Sequence, residues 1–203
     1  MFTSALPDEG KSDISFGLAL SMAQIGKRVV IVDADIRRSV LKDRYNVDGE
    51  INGLTQYLTG QKSGEDIVYK TAKDNLSVVF AGPFSPNPSE LLEDKLFDEF
   101  IDTLKQSYDY VFIDTPPMAS LADGSIVARR SDGVILVIES GAISYRLEQQ
   151  VIKQIEATGT RILGAVLNKV DPKTEGYYGK YGKYGKYGKY GKYGYGQSYG
   201  GGK

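Results

Sequence analysis

Five short apolar runs, separated by stretches long enough for a helix, constrain this chain more than any other feature. They are RVVIVDA (28–34), LSVVFAG (76–82), YDYVFIDT (108–115), GVILVIES (133–140) and RILGAVLN (161–168). Each is rich in Val and Ile and continuous rather than alternating, the pattern of strands buried on both faces of a parallel sheet. Helical patterns fill the intervals: 11–25, closed by Gly26; 88–106, opened by Pro88 and Ser89; and about 143–157. Strand–helix alternation of this kind predicts an α/β protein with a doubly wound, mainly parallel sheet and helices on both faces. Ligands of such sheets sit beyond the carboxyl ends of the strands, so the loops that follow the apolar runs are where function is expected.

The absence of two residue types narrows the chemistry. The 203 residues contain no cysteine and no histidine. That excludes a disulfide framework, a thiol nucleophile, a cysteine-held iron–sulfur cluster and the commonest general base. Carboxylates, lysine, arginine, hydroxyls and backbone amides remain, a set suited to magnesium and phosphate. No apolar run approaches the ~18 residues of a membrane span and no signal peptide opens the chain, so a reduced, cytoplasmic setting is expected.

The near balance of 25 basic and 26 acidic residues conceals an asymmetry. From Lys173 onward there are seven lysines and one acid, Glu175, a net of about +6, against a mildly acidic body. That segment reads GYYGKYGKYGKYGKYGKYGYGQSYGGGK from Gly176, with Gly-Lys-Tyr recurring every three residues. With eleven glycines and almost no aliphatic side chains it cannot build a core. The expected organisation is a domain over 1–172 and a disordered Gly/Lys/Tyr-rich tail over 173–203.

Three motifs stand where ligands are expected. SALPDEGKSD (4–13) carries Gly10, Lys11 and Ser12 at a helix start. There, backbone N–H groups and the helix dipole receive phosphate, lysine adds a charge, and the serine hydroxyl can ligate Mg²⁺. The neighbouring Asp8, Glu9 and Asp13 belong to the same loop. VVIVDAD ends on Asp33 and Asp35, followed by Arg37 and Arg38; two acids after a buried strand can hold a hydrated magnesium or take a proton from an attacking hydroxyl. YVFIDTPP places Asp114 at another strand end, where a carboxylate that organises the metal would stand. Taken singly, each has a bland alternative: a chance GKS, a solvated charge cluster, a helix cap. Together, in this order and on one rim, they point to nucleotide binding. Only MFTS precedes the first motif, so the first strand is expected to be truncated, or the chain to be a fragment of something longer.

The combination of TSALPDEGKS, VVIVDADIRRS, GPFSPNPSELL and YDYVFIDTPP with a tyrosine-rich end resembles the bacterial tyrosine kinases (BY-kinases), within the deviant Walker branch of the P-loop ATPases. The resemblance implies a P-loop fold, ATP and Mg²⁺ as cofactors, and autophosphorylation of the tyrosine cluster. It makes Lys11 and Ser12 the Walker A lysine and magnesium ligand, Asp33 and Asp35 the Walker A′ pair, Asp114 the Walker B acid, and Asn168 the adenine contact. Asp33 becomes the base toward tyrosine. The acceptors are Tyr177, Tyr178, Tyr181, Tyr184, Tyr187, Tyr190, Tyr193, Tyr195 and Tyr199. The family implies a transmembrane polysaccharide co-polymerase as modulator, control of capsular or exopolysaccharide synthesis and export at the inner face of the membrane, a cognate tyrosine phosphatase, and a ring-like homo-oligomer. The ring is built with a helix upstream of the first strand, which this sequence does not contain.

Two loop residues depart from that family's pattern. Asp8 replaces a glycine and, unless it points outward, is expected to weaken ATP binding; Asp13 replaces a threonine but lies in the first helical turn, where an acid suits the dipole. A non-catalytic ATP-binding assembly switch and a ParA/MinD-like positioning ATPase are the alternatives. The latter carries a further lysine where this loop has Leu6 or Pro7. Nucleic acid is not an expected partner, although a basic tyrosine-rich tail could in principle bind single strands or a polysaccharide.

Overall fold

The computed structural model describes residues 1–39, 41–44, 47, 49–119 and 121–171. The fold below is that of the unit Met1–Lys169. The tail from 172 onward, with its nine expected acceptor tyrosines, lies outside the described residues.

All five apolar runs are strands, each trimmed at one or both ends: β2 (Val29–Asp33), β4 (Leu76–Val79), β5 (Tyr110–Asp114), β6 (Val134–Glu139) and β7 (Ile162–Asn168). MFTS supplies β1 (Phe2–Ser4), and a two-residue strand, β3 (Tyr69–Lys70), joins one edge. The seven-stranded sheet runs β3-β4-β2-β5-β1-β6-β7, and only β3 is antiparallel. The short β1 is a central strand, with Phe2 opposite Asp114 on one side and Ile135 on the other.

The unbroken apolar runs have a direct structural cause. Val30 and Val32 of β2 face a core shared with Leu92, Phe97, Phe100, Ile101, Val127, Val151 and Ile155. Val29 and Ile31 of the same strand face a second core with Ala19 and Ala23. A strand covered on both sides has no solvent face to alternate toward. The first core is built with α4 (Pro88–Glu93), α5 (Lys95–Ser107), α6 (Asp123–Ala128) and α7 (Tyr145–Ala157), the second with α1 (Lys11–Gln24).

The helix expected over 88–106 is two helices. Asp94 takes an extended conformation (φ −66°, ψ 147°), and its carboxylate accepts from the Leu96 amide at 2.8 Å, capping α5. An acid that caps so well competes with helix continuation at its own position. Helices α2 (Leu41–Arg44), α3 (Leu54–Leu58) and α6, the 3₁₀ turn Glu65–Ile67 and strand β3 are too short to leave a periodic signal.

Phe97 is fully buried whereas Phe84 is 73% exposed. Phe97→Ala is expected to cost about 3–5 kcal/mol and Phe84→Ala less than about 0.5 kcal/mol, as read from urea unfolding midpoints.

Candidate nucleotide and phosphoryl-transfer site

The loop from Ala5 to Gly10 leaves central strand β1 and enters α1 at Lys11. Gly10 is doubly required: its φ of 89° lies in the left-handed region, and a Cβ there would overlap the amide of Asn168. That amide donates to the Glu9 carbonyl at 2.9 Å. Asp8 also has a positive φ, 65°, which explains why glycine suits this position and why aspartate, one of the side chains that tolerates it, can replace it. Its side chain is exposed, and its carbonyl accepts from Lys169 Nζ at 2.6 Å; the same ammonium pairs with Glu139 Oε2 at 2.8 Å.

Glu9 plays a part that the sequence reading missed. Grouped above with the ligand-binding loop, it is only 1% exposed. Oε1 accepts from the Leu6 amide at 2.6 Å and Oε2 from the Glu139 amide at 2.9 Å. The carboxylate thus closes the loop on itself and pins it to the tip of β6. What Glu9 can offer a ligand is backbone.

Behind the loop, the three motifs converge. Ser12 is buried and its hydroxyl donates to Asp114 Oδ2 at 2.5 Å; Lys11 Nζ lies 3.9 Å from the same oxygen and 3.3 Å from Ser12 Oγ. Asp33 and Asp114 are register partners at the ends of adjacent parallel strands, each 1% exposed. Ser39 Oγ donates to Asp33 Oδ2 at 2.5 Å, and the Asp35 amide to Asp33 Oδ1 at 3.1 Å. Burial, and then the neighbouring Asp114 charge, push the Asp33 carboxyl up to about 7, despite the opposing hydrogen bonds from Ser39 and the Asp35 amide. Asp35 is half-buried and caps the turn, accepting from the Arg38 amide at 2.9 Å.

Arg37 is clamped by Asp123, through Nε to Oδ2 and Nη2 to Oδ1, and by Ser89 Oγ at 3.0 Å. Ser89 itself donates to Asp123 Oδ1 at 2.6 Å. Burial alone would raise Asp123, but these donors outweigh it and hold the carboxyl below the usual range. Arg37 therefore braces the segment after β2 against α4 and α6 through partners that lie 52 and 86 residues away. No spacing in the sequence signals that pair.

Asp8, Gly10, Lys11, Ser12, Asp13, Asn168 and Lys169 line one cleft of about 500 Å³. Asn168, at the end of β7, and the loop after β1 thus share a cavity although 158 residues separate Asn168 from Gly10. Lys169, adjoining Asn168, is a cleft residue that the sequence reading did not select. The donor set suits magnesium: Ser12, Asp114 and Asp33 offer only hard oxygen. Among the described residues there is no group of three or more acids that could hold a metal unaided. A cation that keeps several waters and shares phosphate oxygens fits such a sparse set.

An AAA domain family model matches residues 9–166. The chain is 42% identical over 175 residues to the tyrosine-protein kinase CpsD of Streptococcus agalactiae serotype III (strain NEM316), covering 86% of this chain and 75% of that protein. It is a member of the bacterial tyrosine kinase family. The kinase domain of VpsO superposes on this BY-kinase with a TM-score of 0.80 at 36% identity, over 84% of each chain. The septum site-determining protein MinD of Pyrococcus horikoshii OT3, solved with Mg-ADP, shares the fold at 23% identity with a TM-score of 0.71, over 85% of this chain and 73% of its own.

Two predictions test the geometry. Glu9→Gln sets an amide N–H against one of the two backbone donors. It is expected to lower stability by about 1–3 kcal/mol and to weaken Mg·ADP binding in titration calorimetry. For the metal-free protein, Asp33 holds its proton up to about pH 7 when folded but only to about 3.8 when unfolded. Its contribution to stability is fully present below pH 4 and is lost as pH rises through 7. Urea midpoints should fall across that window, and Asp33→Asn should flatten the slope.

Proposed function

We propose that this BY-kinase transfers the γ-phosphate of Mg·ATP to tyrosines of its own C-terminal cluster, in trans between copies. The observation that carries this reading is the meeting of Lys11, Ser12, Asp114 and Asp33 at the tips of three neighbouring strands. Relatives named tyrosine-protein kinases supply the acceptor class. The cleft between the Gly10 loop and Asn168 takes the nucleotide, with adenine toward Asn168 and the phosphates over the amides at the start of α1. Ser12 and Asp114, with Asp33 and Asp35 nearby, would hold magnesium, which would neutralise charge on the phosphates.

A tyrosine hydroxyl with a pKa near 10 needs a base during transfer. No histidine exists to serve, and Asp33, a buried carboxylate at the tip of β2 beside Asp114, is the base in this reading. The phenolic oxygen forms a bond to the γ-phosphorus, the bond to the β–γ bridging oxygen breaks, ADP leaves, and the phenolic proton passes to Asp33. Arg37 supports the segment that carries these acids.

The acceptors are Tyr177, Tyr178, Tyr181, Tyr184, Tyr187, Tyr190, Tyr193, Tyr195 and Tyr199, on a tether whose root-mean-square span is roughly 30 Å for its glycine-rich 28 residues. Three or four phosphates, at about −1.5 to −2 each, would cancel the tail's charge and release it from an acidic surface. No helix of the described residues is long and apolar enough to cross a membrane. In this reading the chain works at the inner face of the cell membrane through a transmembrane polysaccharide co-polymerase, controls capsular or exopolysaccharide synthesis and export, cycles through a ring-like homo-oligomer, and is reset by a tyrosine phosphatase.

Incubation with Mg·ATP followed by mass spectrometry should find phosphotyrosine confined to the tail. Lys11→Met should abolish it, and Asp33→Asn should reduce the rate about 10²–10⁴-fold. A chain with all nine tail tyrosines changed to Phe should phosphorylate the tail of Lys11→Met when the two are mixed. Phosphotyrosine surviving in both single variants would overturn the site assignment.

A further inference from the structure

Glu148 is a buried acid without a partner. It lies in the first turn of α7, on the inward stripe with Val151 and Ile155, and is only 8% exposed. Neither Oε1 nor Oε2 has a hydrogen-bond partner among the described residues. An ionised carboxyl so placed is strongly disfavoured unless it is paired.

Its surroundings supply charge of the wrong sign. Along α7 the residues three and four positions away are Ser144, Tyr145, Val151 and Ile152, none of them a cation. Arg146 and Lys153 of the same helix are exposed. Helix α6, which packs against α7, carries Asp123, already held by Arg37 and Ser89; beyond its end Arg129 is exposed and Arg130 pairs with Asp98. The tip of β6 carries Glu139, which is paired with Lys169. The charge that reaches Glu148 is that of Glu9 in the phosphate loop. Burial first, and Glu9 second, hold the Glu148 carboxyl above the usual glutamate range, although a first helical turn by itself favours an ionised acid.

Glu9 is the brace of that loop. Its two oxygens accept from the Leu6 and Glu139 amides and so tie the loop to β6. With a proton on Glu148 the brace stands undisturbed. Without it, two carboxylates share a space closed to water, and the donors at hand are committed to Glu9. Parting the two relieves the repulsion, and it draws Glu9 off the Leu6 and Glu139 amides.

We propose that Glu148 is a positioning residue for the nucleotide, whose proton decides, through Glu9, how firmly the phosphate loop is held. This role rests on the reading of the Gly10 loop as a phosphate cradle and adds to it a control by pH. The braced loop holds the Glu148 proton more tightly than the unfolded chain does. The brace is therefore fully present below pH 4.5, the ordinary glutamate value, and weakens as pH rises above it. The coupling is reciprocal: a nucleotide that needs the braced loop favours protonated Glu148.

The test uses the full-length chain. Hydrogen exchange of the Leu6 and Glu139 amides is followed by NMR without nucleotide and corrected for the intrinsic dependence of exchange on pH. Between about pH 5 and about pH 8 their protection should fall at least about fivefold in the wild type, and Glu148→Gln and Glu148→Leu should both hold it level. The Kd of Mg·ADP is then measured by calorimetry in the Asp33→Asn background, where that carboxyl no longer titrates. It should rise at least about fivefold over the same interval with Glu148 present and stay within about twofold with either replacement. Equal pH dependence with and without Glu148 would overturn the proposal. So would a split between the two replacements, because packing and not charge would then be at work. The wild type alone gives a measurement independent of any variant's folding. The ¹³C signal of the Glu148 carboxyl and the Leu6 and Glu139 amide shifts should move with one midpoint, and separate midpoints refute the coupling. Protection that follows Glu148 in a chain that binds no Mg·ADP at any pH would sink the nucleotide reading and leave the proton-dependent brace standing.

Discussion

Two buried carboxylates facing each other across adjacent strands set the terms for the whole site. Asp33 and Asp114 are register partners at the tips of β2 and β5, both nearly without solvent. Two like charges removed from water repel and desolvate each other, an arrangement that persists only with compensation. Ser12 and Lys11 compensate Asp114; Ser39 and the Asp35 amide compensate Asp33. The remaining deficit is expressed as an appetite: for a proton at Asp33, or for a cation beside both. In the function proposed above, a nucleotide's magnesium would answer the second, and an acceptor hydroxyl the first.

That arrangement is useful only if the phosphate loop is held still over it, and the anchoring comes from the opposite half of the sheet. The Glu9 carboxylate ties the loop to the tip of β6, Lys169 ties the Asp8 carbonyl to Glu139, and Asn168 ties the Glu9 carbonyl to the end of β7. The loop leaves β1, the strand between β5 and β6, so supports from β6 and β7 stand on one side and the acids on the other. Side chains locked by such second contacts hold a site to the tolerance that chemistry needs. On the acidic side, Arg37 does equivalent work, tying the segment after β2 to Asp123 and Ser89.

The doubly wound fold was legible because strands sealed on both faces must be apolar throughout, and Val29 to Val32 are sealed in that way by two cores. Lys11, Ser12, Asp33 and Asp114 were legible for a related reason: each sits at the polar last position of a strand or at a helix start, where the chain itself announces the rim. Where local signals competed, the reading blurred. Asp94 looked like a helical residue until its capping bond broke one helix into two.

Sequence alone thus determined the sheet, the rim and the residue types able to handle phosphate, because burial period and motif spacing are local properties. It also determined the tail's composition, its repeat and its charge. Tertiary structure alone decided that Glu9 turns inward, that Arg37 belongs to Asp123, and that Lys169 enters the cleft at the Gly10 loop. Those facts depend on contacts between residues 52 to 161 positions apart, whose register is fixed by strand order and packing rather than by any neighbour along the chain.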